Sequence, residues 1–386
     1  MAAVFLPGNR LKLLRSGAEY FPALEAAIRE ARSSVFLETY IYAGDETGRR
    51  VTRALCEAAA RGAAVHVLVD GFGARDMPVH LVEHLREAGV RLLVFRPEVL
   101  RFRLRRDRLR RMHRKLAVAD DRFAFVGGIN VIDDMDTPGQ TPPRYDFAAQ
   151  IEGPLVGSVR REAERLWNRV ALAGLKPEWR VKMRGGPAPA AKGDQRAALL
   201  VRDNLRHRRS IENAYRAAMD SAAEEIVIAC AYFFPGRRFR RALVRAAARG
   251  VRVLLLLQGR VEYLLLDYAT HALYGALLEA GVEIYEHRHG FLHAKVAVVD
   301  GRWATVGSSN IDPFSLMLAR EANVVVEDGR FASRLRRLLQ EDIDCCARVV
   351  SGARWSRRPL WRRVAYWIAY GAARFGIGML GLGGRF

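Results

Sequence analysis

One short polar pattern occurs twice in this chain, and the constant separation between the copies constrains the fold more than any other feature. The pattern H-x-K-x4-D lies in "MHRKLAVADD" and again 180 residues later in "FLHAKVAVVD". The two copies supply the candidate catalytic residues His113, Lys115, Asp120, His293, Lys295 and Asp300. Asn130 and Asn310, which follow the two copies, are separated by the same 180 residues. The equal spacing indicates a duplicated structural unit.

The segments around the two copies are also repeated. An amphipathic helix followed by a buried strand is predicted at 24–44 and again at 211–236. A further helix ending in "AAARG" then leads to an apolar strand at 63–70, and to its counterpart at 251–258. Helices alternating with short strands rich in Val, Leu and Ile are typical of an α/β sheet. The sequence therefore predicts a duplicated α/β fold.

Composition shifts mark the expected boundaries of the two units. The stretch "RGGPAPAAKGD" at 184–194 is rich in Gly, Pro and Ala and lacks apolar periodicity, so it is the predicted linker. The first unit is then 1–183 and the second 195–350. Residues 351–386 form a basic and aromatic tail.

The composition limits the classes of partner. Lys and Arg number 63 against 42 Asp and Glu, a formal charge of +21. This excess favours an anionic partner: a phospholipid surface, nucleic acid or a phosphorylated substrate. The 50% hydrophobic content is enough for a sizeable core. The four cysteines form no C-x-x-C pair, and we expect reduced thiols.

The residue types in the repeated pattern indicate phosphate chemistry. The side-chain period of a strand is two, so each His and Lys share one face, whereas each Asp lies on the other face or in the following turn. Lysine is a poor ligand for divalent metals, and we expect no metal here. A lysine can balance phosphate oxygens while a histidine attacks phosphorus or moves a proton. The candidate donors to the same phosphate are Asn130, Asn310, Ser308 and Ser309.

The stretches "HRKLAVADDRFAFVGGIN" and "HAKVAVVDGRWATVGSSN" resemble the phospholipase D superfamily, whose two HKD motifs build one active site. The resemblance extends over nearly the whole chain to about residue 350. Within the superfamily, "LETYIYAGDETGRR" and "GSSNIDPFSLMLAREANVVV" are most similar to bacterial cardiolipin synthases of the short type, which lack N-terminal membrane helices. The resemblance implies two α/β/α sandwich halves with a shared active site at a pseudo-twofold interface.

The resemblance also implies a mechanism without metal, nucleotide or other cofactor. A phosphatidyl group passes through a phosphohistidine intermediate to the hydroxyl of phosphatidylglycerol, with phosphatidylglycerol or another phospholipid as donor. His113 is the expected nucleophile and His293 the expected acid and base. The family places an acid on a strand after each motif, hydrogen-bonded to a catalytic histidine, and Asp146 and Glu321 occupy those places.

Alternative functions share much of this pattern. A hydrolytic phospholipase D or a phosphatidylserine synthase would differ only on the acceptor side. An HKD nuclease fits the net charge, but the apolar tail has no evident use on DNA, and we expect no nucleic-acid partner. A membrane-binding scaffold with a relict site is the non-enzymatic alternative, against which both motifs retain every His, Lys and Asp.

Basic and apolar segments suggest an anionic membrane as partner. Seven arginines lie within 101–111, just before the first motif, and could guide an anionic lipid surface. In the tail, arginines alternate with aromatic residues before an apolar segment from about 364 to 384. Six glycines and Arg374 in that segment favour a helix lying in the membrane interface over one crossing it. The segment 260–281 is predicted to be an amphipathic helix that covers the sheet or forms a lip for lipid entry. The expected location is peripheral, at the cytoplasmic face of the bacterial inner membrane.

Overall fold

Two runs of strands and helices with the same order build the protein. The computed structural model describes residues 3–97, 110–137, 139, 141–183, 188–204, 207–260 and 264–379. The strands of the first half are β1 (Leu6–Arg15), β2 (Ser34–Thr39), β3 (Ala64–Asp70), β4 (Arg91–Phe95), β5 (Lys115–Ala119), β6 (Phe123–Gly127), β7 (Arg144–Tyr145) and β8 (Phe147–Glu152). Its helices are α1 (Ser16–Glu30), α2 (Glu46–Ala60), α3 (Val79–Glu87) and α4 (Leu155–Ala173).

The second half repeats this order after a 3-10 turn at Pro177–Trp179. Its strands are β9 (Gln195–Arg202), β10 (Glu225–Cys230), β11 (Arg252–Gln258), β12 (Glu283–His287), β13 (Phe291–Leu292), β14 (Lys295–Val299), β15 (Trp303–Gly307), β16 (Glu321–Glu327) and β17 (Ala347–Val349). Its helices are α5 (Ser210–Ser221), α6 (Arg237–Ala248), α7 (Leu264–Glu279), α8 (Pro313–Met317), α9 (Gly329–Cys346), α10 (Gly352–Ser356) and α11 (Leu360–Met379).

Fifteen strands of the described residues form one continuous sheet, with the order β17-β12-β11-β10-β14-β15-β16-β9-β1-β8-β6-β5-β2-β3-β4. Read outward from the central β9 and β1, both halves have the same strand order, and β17 adds one antiparallel strand beyond β12 at the edge of the second half. In each half the inner strands are antiparallel, and three outer strands, such as β2, β3 and β4, are parallel. Short β7 and β13 pair separately and join the two halves.

Three buried clusters explain how the sheet is covered. One cluster contains Leu24 and Val51 of the helices in the first half, and another contains Tyr215 and Phe239 of the second half. The third is shared by both halves and by the helices α4 and α9. Each half is thus a sheet with helices on both faces, as predicted. The boundaries at 183, 194 and 350 stay predictions, and residues 184–187 of the proposed linker lie outside the described residues.

The predicted helix stops are observed in both halves. Gly62 follows the end of α2 with φ +92°, and Gly250 follows the end of α6 with φ +87°. Glycine adopts this left-handed backbone without steric cost, so it ends the helix and directs the chain into the next parallel strand. The repeated "AAARG" is therefore a helix end in each half.

Candidate active site

The two motif histidines are held by backbone bonds that cross between the halves. His113 and His293 each precede the first residue of a strand, β5 or β14, by two positions. The N–H of His113 donates to the carbonyl oxygen of Arg320 at 2.9 Å, and the N–H of His293 donates to that of Tyr145 at 2.8 Å. Each acceptor belongs to the opposite half. The crossing brings the two motifs into one site.

The carboxylates that follow the motifs cross in the same way. His113 Nδ1 lies 3.0 Å from Glu321 Oε1, and His293 Nδ1 lies 2.6 Å from Asp146 Oδ2. Each histidine is therefore paired with the acid of the other half. A carboxylate on Nδ1 fixes the tautomer and stabilises the imidazolium form. This leaves Nε2 of each ring as the nitrogen available for chemistry.

The two motif lysines are buried beside the histidines. Lys115 Nζ donates to the carbonyl oxygen of His113 at 2.6 Å, and Lys295 Nζ donates to that of His293. Lys295 Nζ also lies 3.6 Å from Asp146 Oδ2. Burial lowers the pKa of Lys115 to about 7, and burial likewise lowers the pKa of Lys295. An arriving phosphate would offset this desolvation, so the pair is suited to an anionic substrate.

Burial also favours the neutral form of the two imidazoles. It lowers the pKa of His113, although Glu321 opposes the shift, and it lowers the pKa of His293 well below the usual value. The nearby Lys295 and Arg144 charges reinforce the shift at His293. Burial raises the pKa of Asp146 to about 6, whereas at Glu321 the contacts with His113, Lys115 and the Ser308 hydroxyl together outweigh burial and lower the pKa. A neutral imidazole is the form that can attack phosphorus.

Gly128 in the first half and Ser308 in the second half occupy the same position of the repeat. Ser308 Oγ donates to Glu321 Oε2 at 2.5 Å. At the matching position, Gly128 leaves the space that the Asp146 carboxylate fills: a Cβ at Gly128 would lie 2.4 Å from both carboxylate oxygens. Gly128 and Ser308 therefore accommodate the two acids. Ser309 bonds within the second half: its N–H donates to Asn323 Oδ1 of β16 at 3.4 Å, and its hydroxyl donates to the Asn310 carbonyl at 3.3 Å.

This geometry predicts that Gly128→Ser reduces phosphatidyl transfer on the order of 100-fold, because the added Cβ displaces Asp146 from His293. The matched change Ser308→Gly only removes one hydrogen bond to Glu321 and should cost about tenfold or less. Initial rates of both proteins measure the difference, with thermal unfolding as the control for folding. Equal rates for the two variants would contradict the prediction.

The two predicted asparagines differ in their contacts. Asn130 Oδ1 accepts the Ile41 N–H at 3.1 Å. Asn310 Oδ1 is buried and has no hydrogen-bond partner among the residues that the structure describes. A buried polar group without a partner is costly unless a ligand supplies one. The side-chain oxygen of Asn310 is therefore available to a hydrogen-bond donor of a substrate, such as a hydroxyl.

The two motif aspartates lie away from the histidines. Asp120 accepts the N–H groups of Arg32, Ser33 and Ser34, each at 2.9 Å. Asp300 accepts three amides before β10 in the same manner, at 2.9 Å. Both residues have positive φ, 52° and 49°, which Asp tolerates in a turn. They tie the turn after each motif strand to the start of a parallel strand, which is a framework role.

Sequence reasoning missed two pairs of residues. Asp70 Oδ2 accepts the Met112 N–H at 2.8 Å, and Gln258 Oε1 accepts the Leu292 N–H at 3.1 Å. Asp70 is the last residue of β3, and Gln258 is the last residue of β11, the corresponding parallel strand of the second half. Each side chain anchors the residue before the motif histidine. Their signal was a polar residue ending an apolar strand, as in "VHVLVD" and "VLLLLQ".

The second missed pair is Tyr40 and Ala231, which directly follow β2 and β10, the first parallel strand of each half. The Tyr40 ring lies 5.0 Å from the His113 ring, edge to face, and 5.3 Å from Lys115 Nζ. Ala231 occupies the corresponding position of the second half, since Tyr42 and Phe233 form equivalent bridges two residues further on. The two half-sites therefore differ in the space beside the histidine.

One group of potential metal ligands lies together in the described residues, outside the HKD site. It contains His287, Asp342 and Cys346. His287 Nε2 lies 3.2 Å from Asp342 Oδ1, and Cys346 is disulfide-bonded to Cys345. The prediction of four reduced cysteines is therefore wrong for these two, which are adjacent at the end of α9. A sulfur in a disulfide offers no thiolate, so the group does not fit a metal centre.

The basic run before the first motif is described only at its end. Residues 101–109 lie outside the described residues. Arg111 NH1 lies 3.7 Å from Asp70 Oδ1, and the Arg111 carbonyl accepts the Arg320 N–H at 2.8 Å. The end of the run thus belongs to the backbone crossing that holds His113. The role of the basic run in guiding the protein to an anionic lipid surface stays a prediction.

Two segments of the chain, 24–138 and 215–343, match a family model described as "Cardiolipin synthase, PLD-like domain". Each segment contains one HKD motif. The chain is 38% identical over 355 residues to Cardiolipin synthase B of Escherichia coli strain K12, covering 92% of this chain and 85% of that protein. It is 31% identical over 373 residues to Major cardiolipin synthase ClsA of Bacillus subtilis strain 168, covering 94% of this chain and 74% of that protein.

A solved structure has the same fold at low sequence identity. The phosphatidylserine synthase of Haemophilus influenzae Rd KW20 superposes with a TM-score of 0.71 and 14% identity, covering 97% of this chain and 96% of that chain. This likeness concerns the fold alone, and it confirms the predicted fold class.

Proposed function

The chain belongs to the cardiolipin synthase family of phospholipase D-like proteins, and from this premise we propose how its site transfers a phosphatidyl group. The prediction of this family from the two motifs is confirmed, as is the prediction of an enzyme of the phosphatidyltransferase type. The observation that carries the mechanism is the crossed pairing of two histidines with two carboxylates around two buried lysines. The proposed substrates are two phosphatidylglycerol molecules, one of which another phospholipid donor could replace.

In the first step, Nε2 of His113 attacks the phosphorus of the donor phospholipid. The bond between phosphorus and the headgroup oxygen breaks, and His293 gives a proton to the leaving alcohol. The bound phosphate anion and Asp146 favour the protonated ring, against the burial that lowers its pKa. Lys115 and Lys295 balance the charge on the phosphate oxygens, with Asn310 as a further partner. Glu321 stabilises the cationic ring of the His113 adduct, and Asp146 does the same for protonated His293.

In the second step, His293 takes the proton from a hydroxyl of the acceptor phosphatidylglycerol. The acceptor oxygen attacks phosphorus, the bond between phosphorus and nitrogen breaks, and His113 is free again. Two phosphatidylglycerol molecules thus give one cardiolipin and one glycerol. Two phosphodiesters are present before and after, so the reaction needs no nucleotide.

An asymmetry between the half-sites supports His293 as the acid and base. Tyr40 covers His113, whereas Ala231 lines a cavity of about 40 Å³ in the second half. The residues on both sides of His293 bond to the cavity wall: the Ala231 N–H donates to Ala294 and the Leu292 N–H donates to Gln258. At roughly 10–15 Å³ for each water, this cavity holds about three waters or the hydroxylated end of a glycerol. The alcohol that His293 protonates or deprotonates would have room there.

Filling this cavity is expected to change the choice of acceptor. Ala231→Leu should lower the ratio of cardiolipin to phosphatidic acid about tenfold, because water still reaches the phosphohistidine while the glycerol headgroup is crowded. Lipid mass analysis gives this ratio directly. Ala276→Leu, at an exposed position of α7, is the matched control. An unchanged product ratio in Ala231→Leu would show that the cavity plays no part in acceptor binding.

The activity itself is tested with purified protein and phosphatidylglycerol vesicles, without added metal or nucleotide. Formation of cardiolipin and glycerol supports the proposal. Phosphatidic acid as the only product would make the protein a hydrolytic phospholipase D, and a serine-dependent product would make it a phosphatidylserine synthase. Degradation of DNA with no action on vesicles would indicate the nuclease, and binding without turnover would indicate the scaffold.

The proposed location follows from the substrates. Among the described residues, no helix combines the length and the apolarity needed to cross a membrane. We place the protein peripherally at the cytoplasmic face of the bacterial inner membrane, with residues 351–386 in contact with lipid. Residues 380–386 of this tail lie outside the described residues.

A further inference from the structure

The helix α11 has two apolar faces, and the residues that the structure describes cover one of them. The covered face contains Tyr366, Ala369 and Ile377, which are 7–8% exposed. The other face, here called the outer face, is formed by large apolar residues that are each 49–73% exposed. They are Leu360, Trp361, Val364, Trp367, Ile368, Phe375 and Met379. We propose that the outer face of α11 is a docking surface for an anionic phospholipid bilayer.

The spacing of the outer face makes it one continuous stripe. Its members recur at intervals of three, four or seven residues, as in 361, 364, 368, 375 and 379, so they line one side of the helix. Contiguous exposed apolar surface of this kind marks a binding site for lipid or protein rather than ordinary surface. Two of the members are tryptophans, which are enriched where protein meets lipid headgroups.

Charge favours an anionic bilayer as the occupant. Residues 351–386 contain seven arginines and no Asp or Glu. Arg357, Arg362 and Arg363 are exposed at the start of α11, and Arg362 lies over the Trp361 ring at 5.1 Å. A basic helix with an apolar face that includes Trp is the arrangement that binds in the plane of an anionic membrane.

The covered face fixes this surface rigidly to the catalytic unit. The Tyr366 ring stacks with His271 of α7 at 5.2 Å, and Arg358 donates to the Tyr366 hydroxyl at 2.6 Å. The Tyr370 hydroxyl accepts from Arg240 of α6 at 3.2 Å. Burial disfavours protonation of His271, but its bonds to Asp267 and Glu286 outweigh this and raise its pKa to about 9. At pH 7 this histidine is therefore cationic, and its ion pairs with Asp267 of α7 and Glu286 of β12 tie α7 to the sheet.

The helix α7, against which α11 packs, also lines the proposed acceptor cavity. Leu266, Asp267, Thr270 and Tyr274 of α7 line that cavity. A bilayer on the outer face of α11 would therefore lie one helix away from the space beside His293. The choice of phospholipid as the partner rests on the proposed function, in which both substrates are bilayer lipids.

The test is sedimentation of the full-length protein with vesicles of phosphatidylglycerol and phosphatidylcholine. The triple variant Trp361→Ser, Ile368→Ser, Phe375→Ser is expected to bind at least about tenfold more weakly, since it removes three large apolar groups spread along the outer face. The control Leu172→Ser, Leu175→Ser changes two exposed leucines at the end of the first half and should bind like the wild type. Thermal unfolding of each variant reports whether α11 remains attached.

Several outcomes would overturn the docking surface. These are unchanged binding of the triple variant, equal binding of the wild type to pure phosphatidylcholine, or a wild-type dimer that the triple substitution converts to monomer without loss of vesicle binding. Binding is independent of turnover, so the two proposals can fail separately. A protein that sediments through the outer face but makes no cardiolipin would contradict only the proposed function. One that makes cardiolipin in detergent without binding vesicles would contradict only the docking surface.

Discussion

His113→Ala is expected to abolish both cardiolipin synthesis and the covalent intermediate, with a loss on the order of 10⁴-fold or more, because no other group replaces the nucleophile. His293→Ala should also slow synthesis, by roughly 10²–10⁴-fold, through loss of the general acid and base. The two losses have different causes. A substrate whose leaving group needs no protonation separates them.

The experiment uses a phosphodiester with a p-nitrophenolate leaving group, alongside labelled phosphatidylglycerol. His293→Ala should still release p-nitrophenolate in a burst and accumulate an acid-labile, base-stable phosphohistidine, whereas His113→Ala should give neither. His80→Ala, at an exposed position of α3, is the control. If His113→Ala keeps the burst and His293→Ala loses it, the two roles are reversed. A burst in neither variant would exclude a division of roles.

Asp146→Asn and Glu321→Gln are expected to reduce synthesis by about 10²–10⁴-fold, because an amide on Nδ1 no longer fixes the required tautomer or stabilises the imidazolium. The crossed pairing gives each variant a distinct signature. Asp146 bonds His293 although it follows the first motif, so Asp146→Asn should retain the p-nitrophenolate burst, as His293→Ala does. Glu321→Gln should resemble His113→Ala and lose it.

This dependence on the leaving group is a readout that general damage to the fold would not reproduce. The controls are Glu152→Gln on β8, the strand that directly follows Asp146, and Glu327→Gln on β16, the strand that contains Glu321. The crossed assignment is refuted if Asp146→Asn abolishes the burst while Glu321→Gln preserves it. Thermal unfolding matters most for Asp146→Asn, since buried Lys295 loses a partner at 3.6 Å.

Local sequence signals were enough to predict the repeated elements. The helix followed by a strand that was predicted at 24–44 and at 211–236 is observed as α1 and β2 and as α5 and β10, and both helices ending in "AAARG" end where glycine predicts. The opposite parity of His113 and Asp120 also placed the aspartate away from the histidine. These properties depend on periods of two and 3.6 residues and on local backbone preferences, which are present in a few residues of sequence.

Contacts between distant residues were not predictable in the same way. The hydrogen bond of His293 with Asp146 spans 147 residues, and that of His113 with Glu321 spans 208. The sequence predicted that each acid serves a histidine, but nothing local specified which one. Asp70 and Gln258 were missed for the same reason, since each acts on a loop more than thirty residues further along the chain.

The tail also shows what the sequence predicts and what only tertiary contacts decide. Its composition predicted an interfacial helix, yet a single apolar segment could equally cover the protein or the membrane. The structure assigns one face of α11 to α6 and α7 and leaves the other exposed. By itself, the sequence determined the duplication, the phosphate chemistry and the family, because these depend on residue identity and spacing. Only the tertiary structure decided which acid supports which histidine and which face of the tail is free, because both depend on how distant segments are brought together by the shared core.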